Sequence, residues 1–219
     1  MKHEKMKKLT VLAMLSAIAY VAVALLRFPV VLFLSYEPKD VVIAIGGFLY
    51  GPLAALGISL VVSFIEMLTI RSTGWIGFVM NFLSSAAFAG TAALLYRKKR
   101  TQGSAIAGLF GGALLMTVLM LLWNYLITPI YMGMDREEIV VPMLIPVFLP
   151  FNLVKGGLNM ALILLLYKPV VTALRKARLV PESHAPVEGK GKLGAGFLLF
   201  SLALLATFVV LALVLMGIL

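Results

Sequence analysis

The sequence predicts an all-α integral membrane protein, and three observations carry that expectation. The chain is 62% hydrophobic and 13% charged, with a mean hydropathy of +1.07, whereas a soluble domain carries about 25% charged residues. Apolar runs recur along it at about 20 residues, the length a helix needs to cross a bilayer. Basic residues gather beside those runs rather than within them. That is the orientation signal of membrane proteins and not the patch of a nucleic-acid binder, despite a net charge of +10.

The first span is "LTVLAMLSAIAYVAVALL", 9–26. No small-residue cleavage pattern closes it, so it reads as a retained helix. The apolar connection "RFPVVLFLSYEPKD" follows, where Pro29 and Pro38 oppose a continuous helix. The run 41–70 is too long for one ordinary span, and Gly51-Pro52 interrupts it. It predicts a short helix, a tight turn and a full span at 53–70; one Pro-kinked helix is the alternative. Span four is 76–96, closed by "RKKR" at 97–100. Span five runs from 104 to 128 and ends at Pro129; span six runs from 143 to 168, with the basic "VVTALRKAR" as a continuation. These make a membrane core over 1–178. A linker rich in Pro, Gly and charge follows at 179–192. The run 193–219, with no charged residue, is expected to be an additional C-terminal transmembrane helix.

Fourteen of the nineteen basic residues, at 2–8, 97–100, 168–178 and 190–192, fall on one side of this topology. Arg27, Lys39, Arg71 and Arg136 fall on the other. The positive-inside rule makes the first side cytoplasmic, with the N-terminus inside and the C-terminus outside once the seventh span crosses. The expected location is the cell membrane, crossed several times. There is no cysteine, and His3 and His184 lie in polar tails. Thiolate chemistry, disulfides and a buried histidine metal site are thereby excluded.

Few strongly polar residues interrupt the spans: Glu66, Asn81, Asn124, Asn152, Lys155 and Asn159. A central unpaired Lys costs about 2.5–3.5 kcal/mol on insertion scales, so it needs a cavity or a partner. Asn152, Lys155 and Asn159 stand at i, i+3 and i+7 and share one helix face. Amides bridging neighbouring helices, or a Lys155 that reaches to the interface, are the plain readings. A third reading uses all of them. Asn124 near the outer end of span five and Asn152-Lys155 near the outer start of span six converge at one depth, with Trp123, Tyr125, Tyr131, Phe148 and Phe151 close by. That describes an aromatic-lined pocket with a few oriented donors and acceptors. One amine and a set of amides suit a flat neutral ligand with an imide-like edge, because Asn both donates and accepts.

These residues carry a family resemblance. "AMLSA" in span one, "FP" after it, "FLYGPLAAL" at the Gly-Pro turn, "NFLSSA" in span four, "NYLITPIY" ending span five and "PFNLVKG" opening span six occur in order. Together they resemble a riboflavin-specific substrate-binding subunit (S component, RibU type) of an energy-coupling factor (ECF) transporter over about residues 10–170. The resemblance implies a six-helix S-component bundle, to which the seventh helix would be an addition. It implies riboflavin as transported ligand, with no cofactor, bound at the outer side under the loop between spans one and two. Asn124, Asn152 and Lys155 then hold the polar edge of the flavin, Tyr36, Glu37 and Asp40 lie over the ribityl chain, and Asn81 matches a family asparagine. Span three departs from the pattern: Val62-Ser63 stands where relatives often carry Lys-Asn, and Glu66 replaces a usually neutral residue.

The partners implied are a membrane coupling subunit (EcfT type) and two ATPase subunits (EcfA type), since the chain has no phosphate-binding "GxxxxGK[ST]" loop of its own. Ala13 and Ala17 are spaced for close helix approach. Spacing alone favours an internal packing seam, whereas the resemblance implies a docking face for the coupling subunit. The expected function is therefore capture of riboflavin at high affinity outside and its delivery inward. An S component for another neutral vitamin or flavin is the alternative. An intramembrane enzyme fits less well, because Glu66 is the one carboxylate well inside a span and catalysis would need a base or metal at depth.

Overall fold

The computed structural model describes residues 2–70, 74–133, 135–180 and 194–219. Eight helices and one hairpin follow in order: α1 (Lys2–Leu26), β1 (Phe28–Val31), β2 (Leu34–Tyr36), α2 (Lys39–Tyr50), α3 (Pro52–Thr69), α4 (Gly74–Lys99), α5 (Gln102–Leu126), α6 (Thr128–Met132), α7 (Arg136–Lys176) and α8 (Ala195–Leu215). Among the described residues six of them, α1, α3, α4, α5, α7 and α8, are long and apolar enough to cross a membrane. The expected linker lies, from residue 181 on, outside the described residues.

The break at Gly51-Pro52 is a true turn between two helices and not a kink. Gly51 takes φ 92°, and its N–H caps α2 on the Gly47 carbonyl at 2.7 Å. That left-handed geometry suits a residue without Cβ. Pro52 then opens α3 at a position where its missing N–H costs nothing. With 12 residues α2 is about 18 Å long, against about 30 Å of hydrocarbon. It does not reach the full depth of its neighbours, and the connection from α1 occupies the remaining space.

That connection is not helical, as its prolines require, and forms an antiparallel hairpin with Phe28 opposite Tyr36 and Val31 opposite Leu34. A two-residue turn closes it, in which Leu32 has φ 50°, uncommon for a residue with a Cβ. Span six also differs from expectation. It begins at Arg136 instead of 143, and it runs on through the basic continuation to Lys176. Its first half contains two π-helical turns, Arg136–Val140 and Leu144–Phe148, beside Pro142, Pro146 and Pro150. Proline removes a helical N–H and crowds the carbonyl four residues back, and a wider turn absorbs both without ending the helix.

The main core is apolar and built of small residues. Val11, Leu15 and Ala19 on one face of α1 join Ile43 and Ala44 of α2, Ala55 and Ile58 of α3, and Ala89 and Ala92 of α4 in one buried cluster, in which α1 packs directly on α2 and α3. A π-helical turn at Ala86–Gly90 widens α4 between its polar part, Asn81, Ser84 and Ser85, and its alanine-rich part. From α1 to α7 the chain shuttles between a hairpin end and a basic end. The basic end holds the starts of α1 and α5 and the ends of α4 and α7.

Candidate ligand-binding site

A cavity of about 380 Å³ lies at the hairpin end, within the roughly 300–1,000 Å³ range of small-molecule sites. Phe33, Leu34, Ser35 and Glu37 of the hairpin segment, Met80, Asn81 and Ser84 of α4, Met120 and Asn124 of α5, Tyr131 and Met132 of α6, and Phe151, Asn152 and Lys155 of α7 line it, with Arg27 and Ile70 at its edge. Five of the residues singled out from sequence, Asn124, Asn152, Lys155, Asn81 and Glu37, thus share one wall. Tyr36 and Asp40 do not line it; they stand behind it.

Each amide on the wall is held by its scaffold and keeps part of its hydrogen-bonding capacity for the cavity. Asn152 Nδ2 donates to the Phe148 carbonyl one turn back at 2.8 Å, which fixes the side chain and leaves Oδ1 as an acceptor. Asn124 Nδ2 donates to the Met120 carbonyl at 2.7 Å, and its Oδ1 accepts from Thr128 Oγ1 at 3.0 Å; a second amide proton remains. Lys155 Nζ donates to Ser84 Oγ at 3.2 Å and lies 3.5 Å from Asp40 Oδ2. Asp40 also accepts from Ser85 Oγ and, at 3.3 Å, from Asn159 Nδ2. Tyr36 Oη donates to Asn159 Oδ1 at 2.8 Å. Burial first, and then the Asp40 carboxylate, push the Tyr36 phenol far above its ordinary pKa, so it remains a donor. Asn152, Lys155 and Asn159 do share a face: two meet the cavity and the third ties that face to the hairpin and α2.

A second polar cluster adjoins the first. Lys39 is buried to 1% exposure, and its Nζ lies 2.8 and 2.6 Å from the two Glu66 oxygens and 3.1 Å from Glu37 Oε2. Three acceptors meet the three donors of an ammonium. Asn81 Nδ2 donates to Glu66 Oε2 at 3.0 Å, and Arg27 Nε is 3.5 Å from Glu37 Oε1. A lone charge at this depth would be strongly destabilising, and only a well-bonded pair is tolerated. Sequence reasoning counted Lys39 only among the basic residues of the outer side and left Glu66 without a partner. The missing signal was spacing: Lys39 opens α2 two residues before its apolar run, and Glu66 lies one turn from the end of α3, so the two meet where α2 and α3 reach the hairpin end. Among the described residues Arg27, Lys39 and Lys155 match Glu37, Asp40 and Glu66 in formal charge.

Of the aromatics expected nearby, Tyr131 and Phe151 line the cavity. Phe148 is fully buried and backs the wall residue Phe33, with ring centroids 6.0 Å apart. Trp123 and Tyr125 are off the wall; Tyr125 faces the Arg136 guanidinium at 5.2 Å. Ala13 and Ala17 lie on the exposed face of α1, opposite its buried stripe, so they form no packing seam among the described residues.

The family model described as "ECF transporter, substrate-specific component" matches residues 7–170. The riboflavin transporter RibU of Staphylococcus aureus (strain TCH60) is 30% identical over 179 residues, covering 78% of this chain and 93% of that protein. The riboflavin transporter FmnP of Bacillus subtilis (strain 168) is 30% identical over 189 residues, covering 80% and 99%. A solved structure, described as "Structure and mechanism of the S component of a bacterial ECF transporter", superposes with a TM-score of 0.67 at 30% identity, over 78% of this chain and 99% of that one. The match runs from α1 into the last turns of α7 and leaves α8 outside it. The chain belongs to the substrate-specific (S) components of ECF transporters, and is a multi-pass membrane transport subunit rather than an enzyme.

Proposed function

We propose that this chain is the riboflavin-binding S component of an ECF importer. The hairpin end faces outward and the N-terminus faces the cytoplasm, as the distribution of basic residues requires. α8 crosses the membrane once more. The chain captures riboflavin in the hairpin-end cavity, and a coupling subunit of EcfT type with two EcfA-type ATPases drives delivery inward. The exposed Ala13–Ala17 face of α1 gives that coupling subunit a surface for close approach.

The observation that carries the reading is the convergence of Asn124, Asn152 and Lys155 from two helices onto one cavity. A neutral heterocycle with adjacent carbonyl and N–H groups meets an acceptor at Asn152, a donor at Asn124 and a cationic donor at Lys155. Asn81 and Glu37 are positioned for the more hydroxylated part of the ligand. Tyr36 and Asp40 act from behind the wall: Asp40 orients the ammonium, and Tyr36 pins Asn159 and with it the hairpin. The relatives named as riboflavin transporters support the choice of ligand.

The test is a visible spectrum of the purified protein followed by titration of flavin fluorescence. Asn152→Ala is the clean variant, because its one hydrogen bond within the protein is to its own helix. Losing one buried partner costs about 1–3 kcal/mol, or roughly tenfold to a hundredfold in affinity. Lys155→Met is expected to lose at least as much. Unchanged riboflavin titration by the combined variant would sink the assignment.

A further inference from the structure

α8 lies beyond the family match, yet it is not loosely appended. It packs along α7, and its last turns also reach β1. A second hydrophobic core forms there, separate from the main one. Val30 and Tyr36 of the hairpin, Val154 and Leu158 of α7, and Ala212 of α8 are buried together, with Phe208 packed against them. The glycine pair in α7 permits this two-sided packing. A Cβ on Gly156 would stand 2.8 Å from the Ala113 Cβ of α5, and a Cβ on Gly157 would collide with the Phe208 ring of α8. One glycine thus admits α5 on the cavity side, and the next admits α8 on the far side. The hairpin and the first half of α7 are also the elements that carry Leu34, Ser35, Phe151 and Asn152 on the cavity wall.

We propose that α8 is a strap in cis on the ligand site, with Phe208 as its positioning residue. Seated over Gly157, Phe208 holds the back of the hairpin and the outer half of α7 together. The hairpin must lift for a ligand to pass, and α8 opposes that movement. The strap therefore slows entry and release together while leaving the contacts of the bound state in place. The identity of the ligand rests on the preceding reading; the strap itself does not.

The chain has no cysteine, so single cysteines report cleanly on exposure. In full-length protein without ligand, Val30→Cys is expected to react slowly with a maleimide. Adding Phe208→Ala should raise that rate about tenfold, equivalent to a tenfold larger open fraction, and Phe208→Leu, which restores apolar bulk, should return it most of the way. Ser59→Cys, a near-isosteric probe fully buried between α3 and α4, should stay protected throughout. In a second experiment on the same proteins, riboflavin release should be about tenfold faster in Phe208→Ala with a smaller change in equilibrium affinity, since entry quickens as well. Equal Val30→Cys labelling with and without Phe208 overturns the strap. So does labelling of Ser59→Cys alongside it, which would make Phe208 a general stabiliser of the bundle. If riboflavin fails to bind any of these proteins while the labelling behaves as expected, the ligand assignment falls and the strap stands.

Discussion

The two ends of this bundle are held together by different chemistry. Toward the basic end and the middle of the bundle, α4 and α5 touch through glycine and alanine with almost no space to give. A Cβ on Gly108 would stand 2.7 Å from the Ala92 carbonyl oxygen, and one on Gly112 would collide with the Phe88 carbonyl. At the hairpin end the same helices are separated by a cavity, and what joins them is Lys39–Glu66–Asn81 and Lys155–Asp40–Asn159. Small-residue packing suits a frame that must keep its shape, because backbone-to-backbone contact has no rotamers to exchange. Ionic and amide contacts suit a chamber wall, because their partners can be shared with a ligand. The comparison teaches that a binding site can be opened inside a membrane bundle only if every charge lining it already has a partner.

The largest effect expected from breaking the chamber is at Glu66. Glu66→Ala leaves Lys39 with Glu37 as its remaining carboxylate, and removing one member of a buried pair costs about 3–5 kcal/mol. Thermal unfolding in detergent should show it. Replacing both members, Glu66→Leu with Lys39→Met, should cost less than the single change, because no buried charge is stranded. A Glu66→Ala protein as stable as the parent would mean that the pair contributes nothing to the fold.

The frame should fail differently. Gly112→Ala forces a methyl against the Phe88 carbonyl, and overpacking of this kind costs about 1–3 kcal/mol. The lost stability should come without a change of ligand affinity in the molecules that remain folded, since Gly112 is remote from the cavity wall. Weakened binding at constant stability would erase the distinction between frame and chamber.

Much of this was legible in the sequence because it is encoded locally. Apolar length fixed the spans, Gly51-Pro52 fixed the turn into α3, and the i, i+3, i+7 spacing of Asn152, Lys155 and Asn159 placed one face of α7 toward a cavity. What stayed hidden depends on partners far apart in the chain. Lys39 reads as a surface cation until Glu66, 27 residues on, is folded against it. The hairpin was obscured by Pro29, which forbids helix but does not announce a strand. The early start of α7 was obscured by Pro142, Pro146 and Pro150, whose effect is absorbed by π-helical turns. Gly157 gave no sign of its purpose, because the ring that fills its notch comes from α8, some fifty residues later.

The smallest effect on ligand binding is expected at the exposed face of α1, and it sharpens the comparison most. Ala13 and Ala17 contribute nothing to either core, and they lie toward the end of the bundle away from the cavity. Ala13→Leu with Ala17→Leu adds bulk only to the outer surface of the bundle, so riboflavin affinity and thermal stability in detergent should match the parent protein. If that face seats the coupling subunit, added bulk holds the two helices apart, and small residues are what close approach requires. Copurification with the coupling subunit and riboflavin uptake by cells should then both fail although the protein binds its ligand normally. Normal uptake by the double variant, with expression confirmed, would remove the alanines from the docking face and leave them as lipid-facing residues. A parallel loss of binding would show instead that the frame transmits a change in α1 to the chamber, and that its two ends are not independent.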